Sequence, residues 1–326
     1  MVVGGDPDSR GVVASCSYEA RKFGIRSAMS SRSASRICPQ LIFVKPHFSL
    51  YKAVSRDIRN IFLSVTDLVE PLSLDEAYLD VTVNKLNEPS GTRAAEHIRQ
   101  RIKNELHLTA SAGVGPNKFI AKVASDFRKP NGLTVVPPSQ VDGFVKVLKV
   151  ERMWGVGPVT AQKLHDRGIR TAADLRERTK NELESWLGKF GPFLHELAFG
   201  RDERPVSPDE DPKSRGAETT FEEDQTSISI LTQTVFELSQ DVSRSLKKLG
   251  KKGRTVVLKV KYSDFTLITR SRTLPLPIAE TSEINDIARQ LFEATELGKR
   301  PARLVGVSVS NFPTLNDPQQ LSLLPD

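Results

Sequence analysis

An α+β chain of several domains is what this sequence predicts, and three observations carry the prediction. Over residues 1–145, short β-branched runs such as Val2-Val3 and Val12-Val13 alternate with stretches of helical periodicity. From Val150 the strand signal stops, and helical patterns punctuated by glycine run to residue 203. Beyond a Pro-, Asp- and Ser-rich linker at 204–216, the order over 217–312 becomes strand, helix, two strands, helix, strand, a split βαβ arrangement. At 326 residues the chain has room for two or three domains, each with its own core.

Met1-Val2-Val3-Gly4-Gly5 reads as the end of a strand, and residues 11–15 as another. Tyr18-Glu19-Ala20-Arg21-Lys22-Phe23 makes a basic, aromatic helical turn that Gly24 stops. Residues 30–38 carry a weak helical pattern. Leu50, Val54, Ile58, Ile61 and Phe62 fall at helical spacing, so 48–62 is a helix packed on a sheet. Leu68, Val69 and Leu72 before Asp75-Glu76, and Ala77, Tyr78, Leu79 and Val81 after, predict a hairpin with both acids at its tip. An amphipathic helix over 92–106 buries Ala95, Ile98, Ile102 and Leu106, and residues 108–114 form a buried strand of small side chains. Asn117 opens a helix that ends before Lys129-Pro130-Asn131-Gly132. In the helical region, Gly155-Val156-Gly157-Pro158 precedes one helix, Thr171 caps the next, and 187–193 repeats the pattern loosely. Strands at 217–221, 254–262, 266–274 and 303–309 and helices at 227–249 and 282–295 complete the last domain, and 313–326 is a flexible tail.

The totals narrow the function. A net charge of +7 and a pI near 9.3 suit a polyanionic partner. Cys16 and Cys38 lack metal-ligand spacing and read as thiols of a reducing cytosol, and the five histidines are scattered, so a zinc site or a His-based triad has no support. No apolar run approaches a bilayer span and the N-terminus has no signal-peptide pattern, so a cytoplasmic chain without membrane partners is expected.

Each candidate motif carries two readings. Successive strand side chains point to opposite faces, so Asp75 and Glu76 can share a site only where the backbone turns. There they are a solvated acidic tip or a seat for hard Mg²⁺ ions that also hold substrate phosphates. Gly155 and Gly157, followed by Lys163 and Arg167, are a plain helix–helix turn or a helix-hairpin-helix that admits a DNA phosphate to backbone amides. Arg254, Lys259, Lys261 and Arg270 are a solvated surface or a basic sheet face that follows a duplex groove, with Lys259 and Lys261 opposite Leu258 and Val260. Tyr18, Arg21 and Lys129 are surface residues or a triphosphate clamp. Gln320, Leu321, Leu323 and Leu324 are a frayed end or a short docking peptide for a groove.

In this order, Tyr18-Glu19-Ala20-Arg21-Lys22-Phe23-Gly24, Ser73-Leu74-Asp75-Glu76-Ala77-Tyr78-Leu79-Asp80, Ser111-Ala112-Gly113-Val114-Gly115, Lys129-Pro130-Asn131-Gly132 and Trp154-Gly155-Val156-Gly157 resemble the Y-family DNA polymerases of the DinB type. The resemblance covers nearly the whole chain. It implies a palm and fingers over 1–145 (fingers 11–50), a helix-hairpin-helix thumb over 146–203 and a little finger over 217–312. It also implies two Mg²⁺ ions at Asp75 and Glu76, and triphosphate contacts from Tyr18, Arg21 and Lys129. The terminal peptide looks like a sliding-clamp motif, with Leu324 where an aromatic residue is frequent. The family opens with a palm strand bearing an Asp-x-Asp signature and sugar-lining aromatics, whereas this chain starts at the next strand. On that comparison one metal-binding carboxylate is missing, Mg²⁺ affinity drops and the palm sheet lacks a central strand.

The function expected is therefore a monomeric, low-fidelity translesion DNA polymerase, using primer-template DNA, deoxynucleoside triphosphates and a sliding clamp in repair and damage tolerance. The alternative is a catalytically impaired, DNA- and clamp-binding fragment of such a polymerase. A metal-dependent phosphohydrolase ranks last, because no base stands near Asp75 and Glu76 in the sequence.

Overall fold

Valine-rich runs at the N-terminus pair as strands in the computed structural model, which describes residues 1–208 and 211–313. β1 (Val2–Gly4) lies between β2 (Val13–Cys16), antiparallel to it, and β3 (Phe43–Val44), parallel to it. The β2–β3 connection holds α1 (Tyr18–Lys22) and α2 (Ser31–Ile37), and the hydroxyls of Ser17 and Ser30 cap them by accepting from Ala20 and Ser33 N–H. Val2, Val13, Ala20, Ile25 and Ala34 are buried around the free thiols of Cys16 and Cys38.

The next stretch belongs to a unit of its own, His47–Glu210. α3 (Phe48–Leu63) leads into the hairpin of β4 (Val69–Pro71) and β5 (Ala77–Leu79), followed by α4 (Gly91–Leu106). α3 and α4 pack through Ile61, Ala94, Ile98 and Ile102. Spacing of four residues thus puts Ala94 inside, and the expected Ala95 is only half-buried. After α4 the chain turns at His107 in the left-handed region (φ 55°), and β6 (Ala112–Val114) is shorter than the expected 108–114. α5 (Lys118–Asp126) then lies directly on β6. A Cβ at Gly113 would stand 2.0 Å from the Ala121 carbonyl oxygen, so only glycine permits this approach. β7 (Leu133–Val135) pairs in parallel with β6.

Helices α6 (Val141–Lys146), α7 (Pro158–His165), α8 (Ala172–Arg176), α9 (Lys180–Leu187) and α10 (Phe190–Ala198) complete this unit. Thr171 with Asp174, and Thr179 with Glu182, form capping boxes that start α8 and α9. The helical region does not bury a core of its own. Phe119, Ile120 and Val123 of α5 share one core with Leu164, Leu175, Leu183, Leu194 and Leu197. The expected linker 204–216 is shortened at both ends: Arg204, Pro205 and Ser207 are hydrogen-bonded within this unit, and a strand already begins at Ser214.

Residues 211–313 form the split βαβ module, grouped with Met1–Pro46 in the other unit. In order these are β8 (Ser214–Gln225), α11 (Ile228–Leu249), β9 (Gly253–Tyr262), β10 (Leu267–Ile278), α12 (Thr281–Glu293) and β11 (Ala302–Ser310). The sheet runs β10-β9-β11-β8, antiparallel throughout. Val256, Leu258, Val260 and Tyr262 alternate inward and pack under α11 and α12 with Val305, Val307 and Val309. The opposite face of the sheet carries no helix among the described residues. Arg10 is ion-paired with Asp224 at 2.7 Å, which ties the N-terminal loop to β8.

Candidate nucleotidyl-transfer site and nucleic-acid interface

The β4–β5 turn carries both adjacent acids. Leu72 and Ser73 N–H both donate to the Glu76 carbonyl, at 2.9 and 3.3 Å, closing a tight tip at residues 72–76. The Ser73 hydroxyl donates to Asp75 Oδ1 at 2.6 Å and accepts from Asp75 N–H, so the carboxylate is oriented while remaining exposed. Glu76 Oε1 is ion-paired with Lys122 Nζ of α5 at 2.7 Å. The tip is therefore a place where positive charge is already held.

Beneath the tip lies a polar cluster that spacing did not reveal. Glu70 of β4, directly opposite Tyr78 of β5, meets Lys118 Nζ with both oxygens, at 2.8 and 2.7 Å. The Glu70 carboxylate also accepts from Ser207 N–H, and Lys118 donates to the Pro205 carbonyl. Asp202, whose side chain is fully buried, accepts from Phe119 N–H and from the Arg204 guanidinium. Arg204 lies 4.4 Å over the Trp154 ring and 4.9 Å over Phe193. Burial pushes the Tyr78 hydroxyl up to about 12.

The other candidates are placed as follows. Tyr18 and Arg21 are exposed neighbours on α1, the guanidinium 5.8 Å over the ring. Lys129 stands in the other unit, paired with Asp126 at 2.6 Å. Gly155 and Gly157 do different things. Gly155 takes φ +82°, and a Cβ there would lie 2.9 Å from the Phe190 ring, whereas a Cβ at Gly157 would enter open space at the start of α7. Lys163 is exposed in the last turn of α7, at the far end from the glycines. Lys259 and Lys261 share the helix-free face of the sheet. Arg254 and Arg270 do not join them: Arg254 alternates with Val256 and Leu258, and Arg270 is registered opposite Leu258, so both point to the helix side. Lys259 is paired with Glu218 at 2.7 Å, and Lys261 lies 5.2 Å over the Phe265 ring. Gln320, Leu321, Leu323 and Leu324 lie outside the described residues.

Comparison with known proteins decides the family. Residues 1–126 match the impB/mucB/samB family, and residues 212–323 match that family's C-terminal domain. A DNA polymerase IV from Alkalilimnicola ehrlichii is 49% identical over 323 residues, covering 99% of this chain and 91% of the relative. One from Listeria monocytogenes is 49% identical over 312 residues, covering 96% and 88%. The chain belongs to the Y-family DNA polymerases, DinB type. Among solved structures it is similar to a Y-family polymerase chimera of Dbh and Dpo4, with TM-score 0.85, 28% identity and coverage of 96% and 91%. It is also similar to DinB from Sulfolobus solfataricus, with TM-score 0.65, 29% identity and coverage of 95% and 91%. Residues 151–185 further match the fingers domain of DNA polymerase lambda.

As a Y-family member the chain is a DNA-directed DNA polymerase of the translesion type, a nucleotidyltransferase dependent on divalent metal. Among the described residues no group of three or more His, Cys, Asp or Glu side chains is placed to hold a metal ion. Asp75 and Glu76 are the pair of carboxylates that the family resemblance points to. That set fits a hard ion bound through one or two carboxylates and completed by substrate phosphate oxygens. Among the described residues no helix is long and apolar enough to cross a membrane.

Proposed function

We propose that Asp75 and Glu76 hold the Mg²⁺ ions with which this polymerase extends a primer. The reaction joins the primer O3′ to the α-phosphorus of a deoxynucleoside triphosphate, the hydroxyl loses its proton, and pyrophosphate leaves with the bond it gave up. Bound Mg²⁺ lowers the pKa of that hydroxyl and stabilises charge developing on the phosphate oxygens. Asp75 faces solvent with one oxygen fixed by Ser73, and Lys122 offsets the charge of Glu76 next to it. Tyr18, Arg21 and Lys129 steady the triphosphate by charge-assisted hydrogen bonds. Gly157 at the start of α7 and Lys259 and Lys261 on the open sheet face hold the duplex through its phosphates, independent of sequence. The peptide at 320–324 docks a monomeric enzyme on a sliding clamp, and the work is done in the cytoplasm.

The observation that carries this reading is the turn that brings two consecutive carboxylates to one tip beside a lysine. Primer extension by Asp75→Asn and Glu76→Gln tests it. Both variants should lose extension while binding primer-template with the parent affinity, measured by fluorescence anisotropy. Extension at the parental rate by either would sink the assignment. Binding without extension by the parent chain would favour a DNA- and clamp-holding role instead.

A further inference from the structure

We infer that Glu70 and Lys118 are positioning residues of the polymerase reaction, a buried pair that sets where the Asp75–Glu76 tip stands. The inference rests on the reading of that tip as the metal-holding pair. Two lysines of one helix grip two levels of one hairpin. Lys118 reaches Glu70 in β4, and Lys122, one helical turn further on, reaches Glu76 at the tip. The lower grip is buried, with side-chain exposures of 11% for Glu70 and 10% for Lys118, and the upper one is open to solvent.

The helix is itself fixed. Asn117 caps α5 by accepting from Ile120 N–H and donates to the Gly200 carbonyl, while Asp202 accepts from Phe119 N–H, so the start of α5 is tied at two points to the segment that follows α10. The same segment closes over the ion pair, with Ser207 N–H on Glu70 and the Pro205 carbonyl on Lys118. Through Arg204 it leans on Trp154 and Phe193 of the helical region. Hairpin, helix and returning segment thus meet at two charged side chains.

Stability alone does not explain the choice of residues. Desolvating two charges costs about as much as their attraction returns, and apolar side chains of similar volume serve a core at least as well. What a carboxylate and an ammonium add is direction. Glu70 makes its contacts at fixed points on α5 and on the returning segment, so the hairpin cannot slide or rotate against the helix without breaking them. A displacement of about 1 Å at reacting groups costs on the order of 10²-fold in rate.

The test uses the full chain carrying Glu70→Gln together with Lys118→Met. Both charges leave at once, so neither is stranded, and Gln still accepts from Ser207. The variant should melt near the parent temperature and bind primer-template with the parent affinity. Its kcat should nonetheless fall by between about 10-fold and 10²-fold. Mn²⁺, titrated by electron paramagnetic resonance with primer-template and a non-hydrolysable nucleotide present, should bind more weakly. Parental kcat and Mn²⁺ affinity would show that the pair only fills space and would overturn the inference. Failure to fold would overturn it too, because the neutral pair should fill the same volume. If Asp75→Asn leaves Mn²⁺ affinity untouched, the fault lies with the metal-site reading and not with the positioning pair.

Discussion

Asp202 shows how a charge is kept inside this fold. Burial works against its carboxylate, but hydrogen bonds and charge from Arg204, with N–H donors from Arg204 and Phe119, outweigh it and hold the pKa below the ordinary 3.8. The folded value lies below the unfolded one, so the stability Asp202 contributes is complete above the unfolded value and is lost as pH falls through the folded one. Denaturation midpoints followed downward from about pH 5 should therefore fall more steeply for the parent than for Asp202→Asn. Asp174, Glu182 and Glu196 are also held low and steepen both curves, so the difference isolates Asp202. Parallel curves would mean that Asp202 gains no charge stabilisation on folding. The hairpin tip that carries Asp75 and Glu76 was legible in the sequence because its turn is local. Asp202 was not: its partner Phe119 is 83 residues away, and Asp202 itself borders a stretch whose composition says linker. Glu70 and Lys118, 48 residues apart, were hidden for the same reason.

At the scale of elements, β9 was readable through its alternation. Period two put Lys259 and Lys261 opposite Leu258 and Val260, and the sheet agrees. The same parity already assigned Arg254 to the Leu258 side, and grouping residues by charge had ignored it. Glu218 was beyond reach, because only the strand order reveals it. It faces Lys259 across Gly306 of β11, where the absent side chain lets the ion pair span the middle strand. A Cβ at Gly306 would lie 2.9 Å from Glu218 Cβ. An exposed pair of this kind contributes between about 0 and 1 kcal/mol, so Glu218→Gln should barely change the melting temperature. It should free Lys259 for phosphate and tighten duplex binding severalfold at low salt, with the gain fading as salt screens it. Anisotropy titrations over a salt series read this directly. Weaker binding by Glu218→Gln would mean that the open face does not meet the polyanion.

For the larger organisation, the question is where one packed body ends. The change at Val150 is a change of secondary structure, and the sequence pattern reports it as such. Packing ignores it: α5 contributes Phe119, Ile120 and Val123 to the core that Leu164, Leu183 and Leu194 build from the helices beyond. Apolar periodicity shows which face of a helix is buried and is silent about which other element covers it, so this continuity was not legible. It has a consequence for the site, since α5 is also the helix whose Lys118 and Lys122 hold the hairpin. Leu194→Ala, at a fully buried position on α10, should cost about 2–5 kcal/mol. That loss should be felt throughout His47–Glu210, with Trp154 and Trp186 reporting from the helical region and amide exchange reporting from α5 and β6. Both probes should shift to lower denaturant by the same amount. If the tryptophans moved and the α5 amides did not, the two would be separate folding units. The stability of the helical region would then have no hold on the position of Asp75 and Glu76.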